Sequence, residues 1–238
     1  PDLPASVSSF PRLPGASREA RIVAAFGEPS TLWLGQDASE AAFRERSGGD
    51  FGVIHLAAHA LISESSVTDT YLLLAPGENQ DGFMSPGEIA RLKLSPSLVV
   101  LSGCETAGGP VVRGEGIQGL TAPFLQAGAR TVAATQWPVE DRAGMRLVKG
   151  FYEALSRGRD VGQAMRQSKM ASRERGEPPS VWAAFVVVGD PTLRVPAVRP
   201  SLPTRIRLQF AGIVPALLVL VLAVLGWNGV RILRREAR

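Results

Sequence analysis

Two side chains of this sequence could together carry out nucleophilic catalysis: a histidine, His59, and the only cysteine of the chain, Cys104. Each comes shortly after an apolar run that predicts a buried strand, residues 51–57 before the histidine and residues 98–101 before the cysteine. A deprotonated thiol is a strong nucleophile, and a nearby histidine can accept its proton. Gly103 would allow a tight turn after the second strand, where backbone N–H groups can stabilise an oxyanion.

Both residues also have a structural interpretation. A single cysteine at a strand end often packs as a small hydrophobic residue, and a single histidine is often a hydrogen-bonded structural residue. His55 lies inside the first apolar run, and we interpret it as a satisfied core residue or one that supports the site. From the residues alone, catalysis and packing both remain open.

No cofactor is expected. Two histidines and one cysteine are too few for a His/Cys metal site. Gly114, Gly116 and Gly119 match the G-x-G-x-x-G pattern of dinucleotide-binding proteins, but about ten residues separate them from the preceding strand, where the pattern requires immediate succession. We interpret these glycines as part of the loop that follows Cys104.

Apolar strands alternate with helical segments along most of the chain. This alternation predicts an α/β fold in which helices cover both faces of a mostly parallel sheet. Because sites in such sheets lie at the carboxyl ends of strands, His59 and Cys104 are expected at the same edge. The predicted strands are residues 31–34, 51–57, 71–75, 98–101, 130–136 and 184–188, and the predicted helices are residues 17–26, 38–46, 85–92, 115–127, 142–156 and 161–173.

Several segments in this order resemble the CHAT family of caspase-like cysteine peptidases, which belong to the same clan as separase and the caspases. They are HLAAHALI, YLLLAPG, VVLSGCETAGG, RGEGIQGLTAPFLQAGARTVAATQWPVED, FYEALSRG and WAAFVVVGDP. The resemblance extends over about residues 13–191, and the cysteine follows the histidine by 45 residues. It implies a caspase-like three-layer α/β/α sandwich with a mostly parallel sheet.

The resemblance also assigns roles to residues. The second histidine of the motif is the catalytic one, which is His59, and the nucleophile is Cys104. The backbone N–H groups of Ala60 and Cys104 would form the oxyanion hole. The family usually has glycine where this chain has Ala60, and an alanine is costly there only if the position requires a positive φ angle.

A carboxylate in the substrate pocket of this clan often pairs with arginine or lysine. The corresponding position is Asp141, with Glu140 beside it. A carboxylate binds a guanidinium through two charge-assisted hydrogen bonds, which would favour cleavage after a basic residue. The alternative is that both acids only open the helix beginning near residue 142, where the helix dipole favours negative charge.

The C-terminal segment differs from the rest of the chain. Residues 191–238 contain eight arginines and one glutamate, a net charge of +7, whereas residues 1–190 have a net charge of −3. A basic groove for nucleic acid is therefore not expected on the folded body. Residues 209–230 carry no charge, are flanked by arginines and end near Trp227, which predicts a single membrane span.

The expected organisation has five parts. Residues 1–12 form a linker or fragment edge, residues 13–195 the peptidase domain, residues 196–208 a basic linker, residues 209–230 the transmembrane helix and residues 231–238 a basic tail. We expect the N-terminal portion of the family's domain, and a helical-repeat regulatory region or partner, upstream in a longer protein. Two signals favour opposite orientations of this span: the arginines after residue 230 favour a cytoplasmic C-terminus, whereas the unpaired cysteine favours a cytoplasmic body, which is the orientation we expect.

The functional prediction is a membrane-anchored cysteine endopeptidase that acts on a protein or peptide and cleaves after a basic residue. One alternative is a catalytically silent CHAT scaffold that mediates interactions at a membrane, an interpretation favoured by Ala60. The other is a thiol hydrolase or transferase of different specificity that uses the same two residues.

Overall fold

The computed structural model describes residues 7, 10, 13–27, 29–49, 51–61, 69–95, 98–103, 111–112, 116–117, 119–196 and 198. These residues belong to one compact unit of the chain, Pro1–Pro200. Cys104, most of residues 196–208, and the predicted span and tail at residues 209–238 lie outside the described residues. No helix within the described ranges is long and apolar enough to cross a membrane.

A central four-stranded sheet organises the fold. In sheet order, its strands are β1 (Val53–Leu56), β5 (Leu98–Leu101), β8 (Thr131–Thr135) and β9 (Phe185–Gly189). The first three strands are parallel, and β9 runs antiparallel to β8 at the edge. Smaller antiparallel sheets contain β2 (Ala60–Leu61), β3 (Tyr71–Leu73) and β4 (Phe83–Met84), and β6 (Val111–Val112) with β7 (Gly116–Ile117).

Helices cover both faces of the central sheet. The described helices are α1 (Pro14–Ala24), α2 (Glu40–Arg46), α3 (Pro86–Ala90), α4 (Thr121–Gln126), α5 (Asp141–Ser156), α6 (Val161–Glu174) and α7 (Pro179–Trp182). One hydrophobic cluster joins α1, α5 and α6 to the sheet, and a second joins α2, α3, α4 and β3 to its other face. The predicted three-layer α/β/α arrangement with a mostly parallel sheet is therefore confirmed.

The central strands are buried because their sequences are apolar on both faces. All four residues of β5 are buried, and its side chains alternate between the two clusters: Leu98 and Val100 contact the first, and Val99 and Leu101 the second. A run of this kind is typical of a strand that is covered on both sides. The strand that precedes Cys104 is thus, like β8, buried along its whole length.

Three local expectations were wrong. Residues 31–34 form no strand, and the side chain of Leu32 is 38% exposed there, so the apolar run does not become core. The helix predicted over residues 115–127 begins only at Thr121, because Gly116–Ile117 pairs as β7 with β6. The first helix begins at Pro14 rather than after Ser17, since proline suits the first helical position.

Candidate functional site

The carboxyl ends of β1 and β5 lie side by side. Leu56 is in register with Leu101, and the Ser102 N–H donates a hydrogen bond of 2.9 Å to the Leu56 carbonyl. His59 comes three residues after Leu56, and Cys104 two residues after Ser102. Both segments therefore leave the sheet at the edge where parallel α/β sheets usually hold their sites.

The turn before the cysteine is fixed to the neighbouring strand. The Thr135 hydroxyl, at the buried carboxyl end of β8, donates a hydrogen bond to the Gly103 carbonyl. The backbone just before Cys104 is thus held by Leu56 of β1 on one side and by Thr135 of β8 on the other. Cys104 itself lies outside the described residues, and its distance from His59 stays a prediction.

His59 lies between β1 and β2 and is half-buried. Its backbone carbonyl accepts a hydrogen bond of 2.9 Å from the Leu73 N–H of β3. The ring of Phe10 lies against the imidazole, with 5.7 Å between the ring centroids and an angle of 45° between the planes. The backbone of His59 is therefore fixed by the small sheet, and an aromatic ring contacts its side chain.

Ala60 begins β2 and is in register with Leu72 of β3. Because His59, and not Ala60, accepts the bond from Leu73, Ala60 and Leu72 form a non-hydrogen-bonded pair of the antiparallel ladder. The Ala60 N–H therefore points away from β3. A strand is an extended conformation that alanine adopts readily, so the replacement of the family's glycine costs little at this position.

His55 lies on the opposite face of β1 from the second cluster and is buried among polar partners. Its side chain is 7% exposed, Nε2 lies 2.9 Å from Glu19 Oε1 of α1, and Nδ1 lies 3.2 Å from the Tyr152 hydroxyl of α5. Burial, followed by the charge of Glu19, raises the pKa of Tyr152 well above its ordinary value. The interpretation of His55 as a satisfied core residue is confirmed.

Glu140 caps a helix. Its carboxylate accepts hydrogen bonds from the backbone N–H of Arg142 at 3.0 Å and from that of Ala143 at 2.8 Å, at the start of α5. These two bonds are the main reason that its pKa lies below the ordinary value. Both carboxylate oxygens thus have a structural partner, as the helix-opening alternative predicts for this residue.

Asp141 is exposed at the first position of α5 and lies against the start of α1. The contact is close: a Cβ atom at Gly15 would lie 2.5 Å from Asp141 Oδ2 and 2.8 Å from its Cγ. The carboxylate is therefore at the carboxyl-end edge of the sheet, one short loop beyond β8. Its role in substrate binding stays a prediction.

A cavity of about 660 Å³ lies elsewhere, at the N-terminal end of α2. Arg44 in its lining bonds to two of the four carboxylates, to Glu40 at 2.7 Å and to Glu88 at 2.8 Å. The cavity includes neither His59 nor Asp141. Across the described ranges, no group of three or more His, Cys, Asp or Glu side chains could hold a metal ion.

Two residues near the site were missed by sequence reasoning. Thr135 holds the turn before the cysteine, and a signal was present, because it is a polar residue that ends the apolar run of β8. Phe10 was assigned to a linker because proline and serine surround it. Its aromatic ring was a local sign that this segment contacts the domain.

The sequence profile of the CHAT domain matches residues 2–190. The chain belongs to the CHAT domain family. Among curated relatives it is similar to Tetratricopeptide repeat protein 28 of Mus musculus, 35% identical over 111 residues, and to that of Homo sapiens, 30% identical over 113 residues. The matches cover 45% and 47% of this chain but only 4% of either relative.

Two solved structures show a partial likeness to this chain. One is the Arg-specific cysteine proteinase gingipain R, with a TM-score of 0.47 and 14% identity over 68% of this chain and 38% of that chain. Another is titled "Structure of Protease", with a TM-score of 0.43 and 12% identity over 69% of this chain and 40% of that chain. Assignment to the CHAT family rests on the sequence match.

Proposed function

We propose that this CHAT domain is a cysteine endopeptidase that uses His59 and Cys104 and is anchored to a membrane by residues 209–230. The observation that carries the proposal is the hydrogen bond between Ser102 and Leu56. It joins the two parallel strands at the point where the chain continues to the histidine on one side and to the cysteine on the other. Nucleophile and base would then meet at one edge of the sheet.

The reaction would proceed through an acyl-enzyme. His59 removes the thiol proton of Cys104, and the thiolate attacks the scissile carbonyl carbon. The tetrahedral intermediate collapses with cleavage of the C–N bond, and the leaving amine takes the proton from His59. A water molecule then attacks the thioester while His59 accepts its proton, which releases the acid and restores the thiol.

The oxyanion would be stabilised by backbone N–H groups. The Ala60 N–H points away from β3, and the N–H of Cys104 follows the turn that Thr135 holds at Gly103. Donors fixed before the reaction stabilise the developing charge without reorganisation. The pairing of β2 with β3 holds Ala60 in place, and the bond from Thr135 of β8 holds Gly103 in place. Both attachments support the role of these backbone N–H groups as an oxyanion hole.

Asp141 would bind the basic side chain before the scissile bond. Its carboxylate is exposed, whereas both oxygens of Glu140 accept bonds from the helix backbone. Of the two candidates, Asp141 is therefore the one that retains capacity for a guanidinium or ammonium group. We assign Glu140 the capping role and propose Asp141 for substrate binding.

The partners follow from the family and the sequence. The curated relatives are tetratricopeptide repeat proteins by name, which supports a helical-repeat regulatory region or partner for this domain as well. The 22 uncharged residues at 209–230, with arginines on both sides, support a single span. We place the catalytic body in the cytoplasm, where an unpaired thiol stays reduced.

Peptide hydrolysis tests the proposal. The detergent-solubilised full chain is incubated with a fluorogenic peptide library that varies the residue before the scissile bond. We expect cleavage after arginine or lysine that is abolished in Cys104→Ala and reduced for basic substrates in Asp141→Asn. Cleavage that persists in Cys104→Ala would contradict the proposal.

A catalytically silent scaffold is the second candidate, and the contact between Phe10 and His59 favours it. An aromatic ring against the imidazole occupies space that a peptide substrate would need. A folded full chain that cleaves no member of the library would support this candidate. Hydrolysis of thioesters or esters without any peptide cleavage would instead indicate another thiol hydrolase or transferase.

A further inference from the structure

Helix α1 makes two contacts that lie one turn apart. Gly15 contacts the Asp141 side chain, and Glu19 lies 2.9 Å from His55 Nε2. Residues four positions apart share one face of a helix. The face of α1 that packs against the domain therefore contacts both the acid at the start of α5 and the strand that leads to His59.

The contact between Glu19 and His55 anchors helix α1 to the domain. Glu19 is 9% exposed and His55 is 7% exposed, and Tyr152 of α5 contacts the second nitrogen of the same imidazole. Buried polar groups of this kind are costly to separate from their partners. The chain Glu19–His55–Tyr152 thus joins α1, β1 and α5, and it fixes where Gly15 lies relative to the start of α5.

At the contact between α1 and Asp141, only glycine at position 15 leaves room for the observed Asp141 side chain. The three atoms nearest to a Cβ at position 15 are Oδ2, Cγ and Cβ of Asp141, at 2.5, 2.8 and 3.2 Å. Real Cβ atoms do not approach other atoms so closely, and the carboxylate is the part that can rotate away. Any larger residue at this position would therefore displace the Asp141 carboxylate rather than the helix backbone.

We propose that Gly15 is a positioning residue for substrate recognition: the anchored helix α1 presents its backbone to Asp141 and sets the orientation in which that carboxylate binds an arginine or lysine side chain. The inference rests on the proposed role of Asp141. The start of α1 would then contribute to substrate binding, although it takes no part in the reaction of His59 with Cys104.

Binding of acetyl-arginine amide to the full-length Cys104→Ala protein, measured by calorimetry, tests the inference without catalysis. We expect Gly15→Ala to raise the dissociation constant about tenfold, because a misoriented carboxylate loses one of two charge-assisted hydrogen bonds. Alanine is a better helix former than glycine, so the variant should fold. The matched control is Gly144→Ala in α5, where a Cβ would meet Val139 at an ordinary 3.5 Å.

A double-mutant cycle separates positioning from a general structural effect. If Gly15 acts through the carboxylate, Gly15→Ala has no further effect in the Asp141→Asn background. An unchanged dissociation constant in Gly15→Ala, an equal loss in Gly144→Ala, or unaltered binding in Asp141→Asn would overturn the inference.

The same variants distinguish this inference from the peptidase proposal. If the expected binding pattern is found but the protein with Cys104 intact cleaves no basic peptide, the peptidase proposal fails and the positioning role stands. If peptides are cleaved after arginine and Gly15→Ala leaves KM unchanged, the positioning role fails and the peptidase proposal stands.

Discussion

Within the candidate site, Ala60 stands at a position where the family usually has glycine. Ala60 begins β2, opposite Leu72 in a non-hydrogen-bonded pair, where the backbone is extended and alanine fits as readily as glycine. The position requires an extended conformation and an N–H that points away from β3. Alanine provides both.

Two variants at this position test the oxyanion role. Ala60→Pro removes the N–H without removing a bond between β2 and β3, so we expect kcat to fall by about 100- to 1,000-fold. Ala60→Gly should leave kcat close to that of the natural protein. The measurement is the rate of hydrolysis of an arginyl fluorogenic peptide, with circular dichroism as a check of folding. A proline variant that retains full kcat would contradict the oxyanion assignment.

The sequence indicated which histidine is structural but not which residues surround it. His55 was expected to be satisfied, and its partners Glu19 and Tyr152 confirm this. Those partners could not be predicted, because they come from helices 36 residues before and 97 residues after it. Phe10 was missed for the same reason: its contact with His59 depends on tertiary structure and not on local pattern.

At the scale of elements, buried strands were predictable and exposed apolar runs were not. The runs that became β5 and β8 are apolar on both faces, so only a covered central strand accommodates them. The run at residues 31–34 has similar composition, but Leu32 remains exposed. Whether an apolar run pairs as a strand depends on a neighbouring strand, which the local sequence does not specify.

The carboxylate of Glu177 bonds to side chains of both α5 and α6 and so links the two helices. Glu177 accepts hydrogen bonds from Ser172 of α6, from Arg146 of α5 at 2.8 Å and from Arg175 at 3.4 Å. Burial acts to raise its pKa, but the bonds from Ser172, Arg175 and Arg146 outweigh it and lower the pKa from 4.5 to about 2. The ionised form is therefore favoured by folding.

This shift predicts a pH dependence of stability. Because the pKa is lower in the folded state, the contribution of Glu177 is fully present above about pH 4.5 and is lost as the pH falls towards 2. The urea midpoint of the natural chain should exceed that of Glu177→Gln at pH 6, and the difference should shrink below pH 4. The exposed Glu174→Gln is the control, and a difference that stays constant from pH 6 to pH 2 would contradict the assignment.

At the scale of the whole molecule, the charge is divided between two regions. Residues 1–190 carry −3 and residues 191–238 carry +7, with all eight arginines of the latter outside the apolar segment. The chain as a whole has a basic isoelectric point, but residues 1–190, which contain most of the folded domain, have a net negative charge. The positive charge instead lies on both sides of residues 209–230, the segment proposed as a membrane span.

Membrane extraction tests the anchor. We expect the full chain to stay with the membrane in alkaline carbonate, and Val219→Arg combined with Leu220→Arg to release it, because each arginine at the centre of a span costs about 2.5–3.5 kcal/mol. Ser201→Arg, outside the span, should not change the distribution. Retention of the double variant in the membrane fraction would contradict the assignment of residues 209–230.

Alkylation of Cys104 tests the central claim, the dyad, most directly. The full chain is treated with a peptidyl acyloxymethyl ketone that ends in arginine, and the modified Cys104 peptide is quantified by mass spectrometry over time. General-base assistance predicts that His59→Ala slows alkylation at least about 100-fold, while iodoacetamide still labels the denatured variant fully. Equal alkylation rates in the natural chain and in His59→Ala would contradict the dyad.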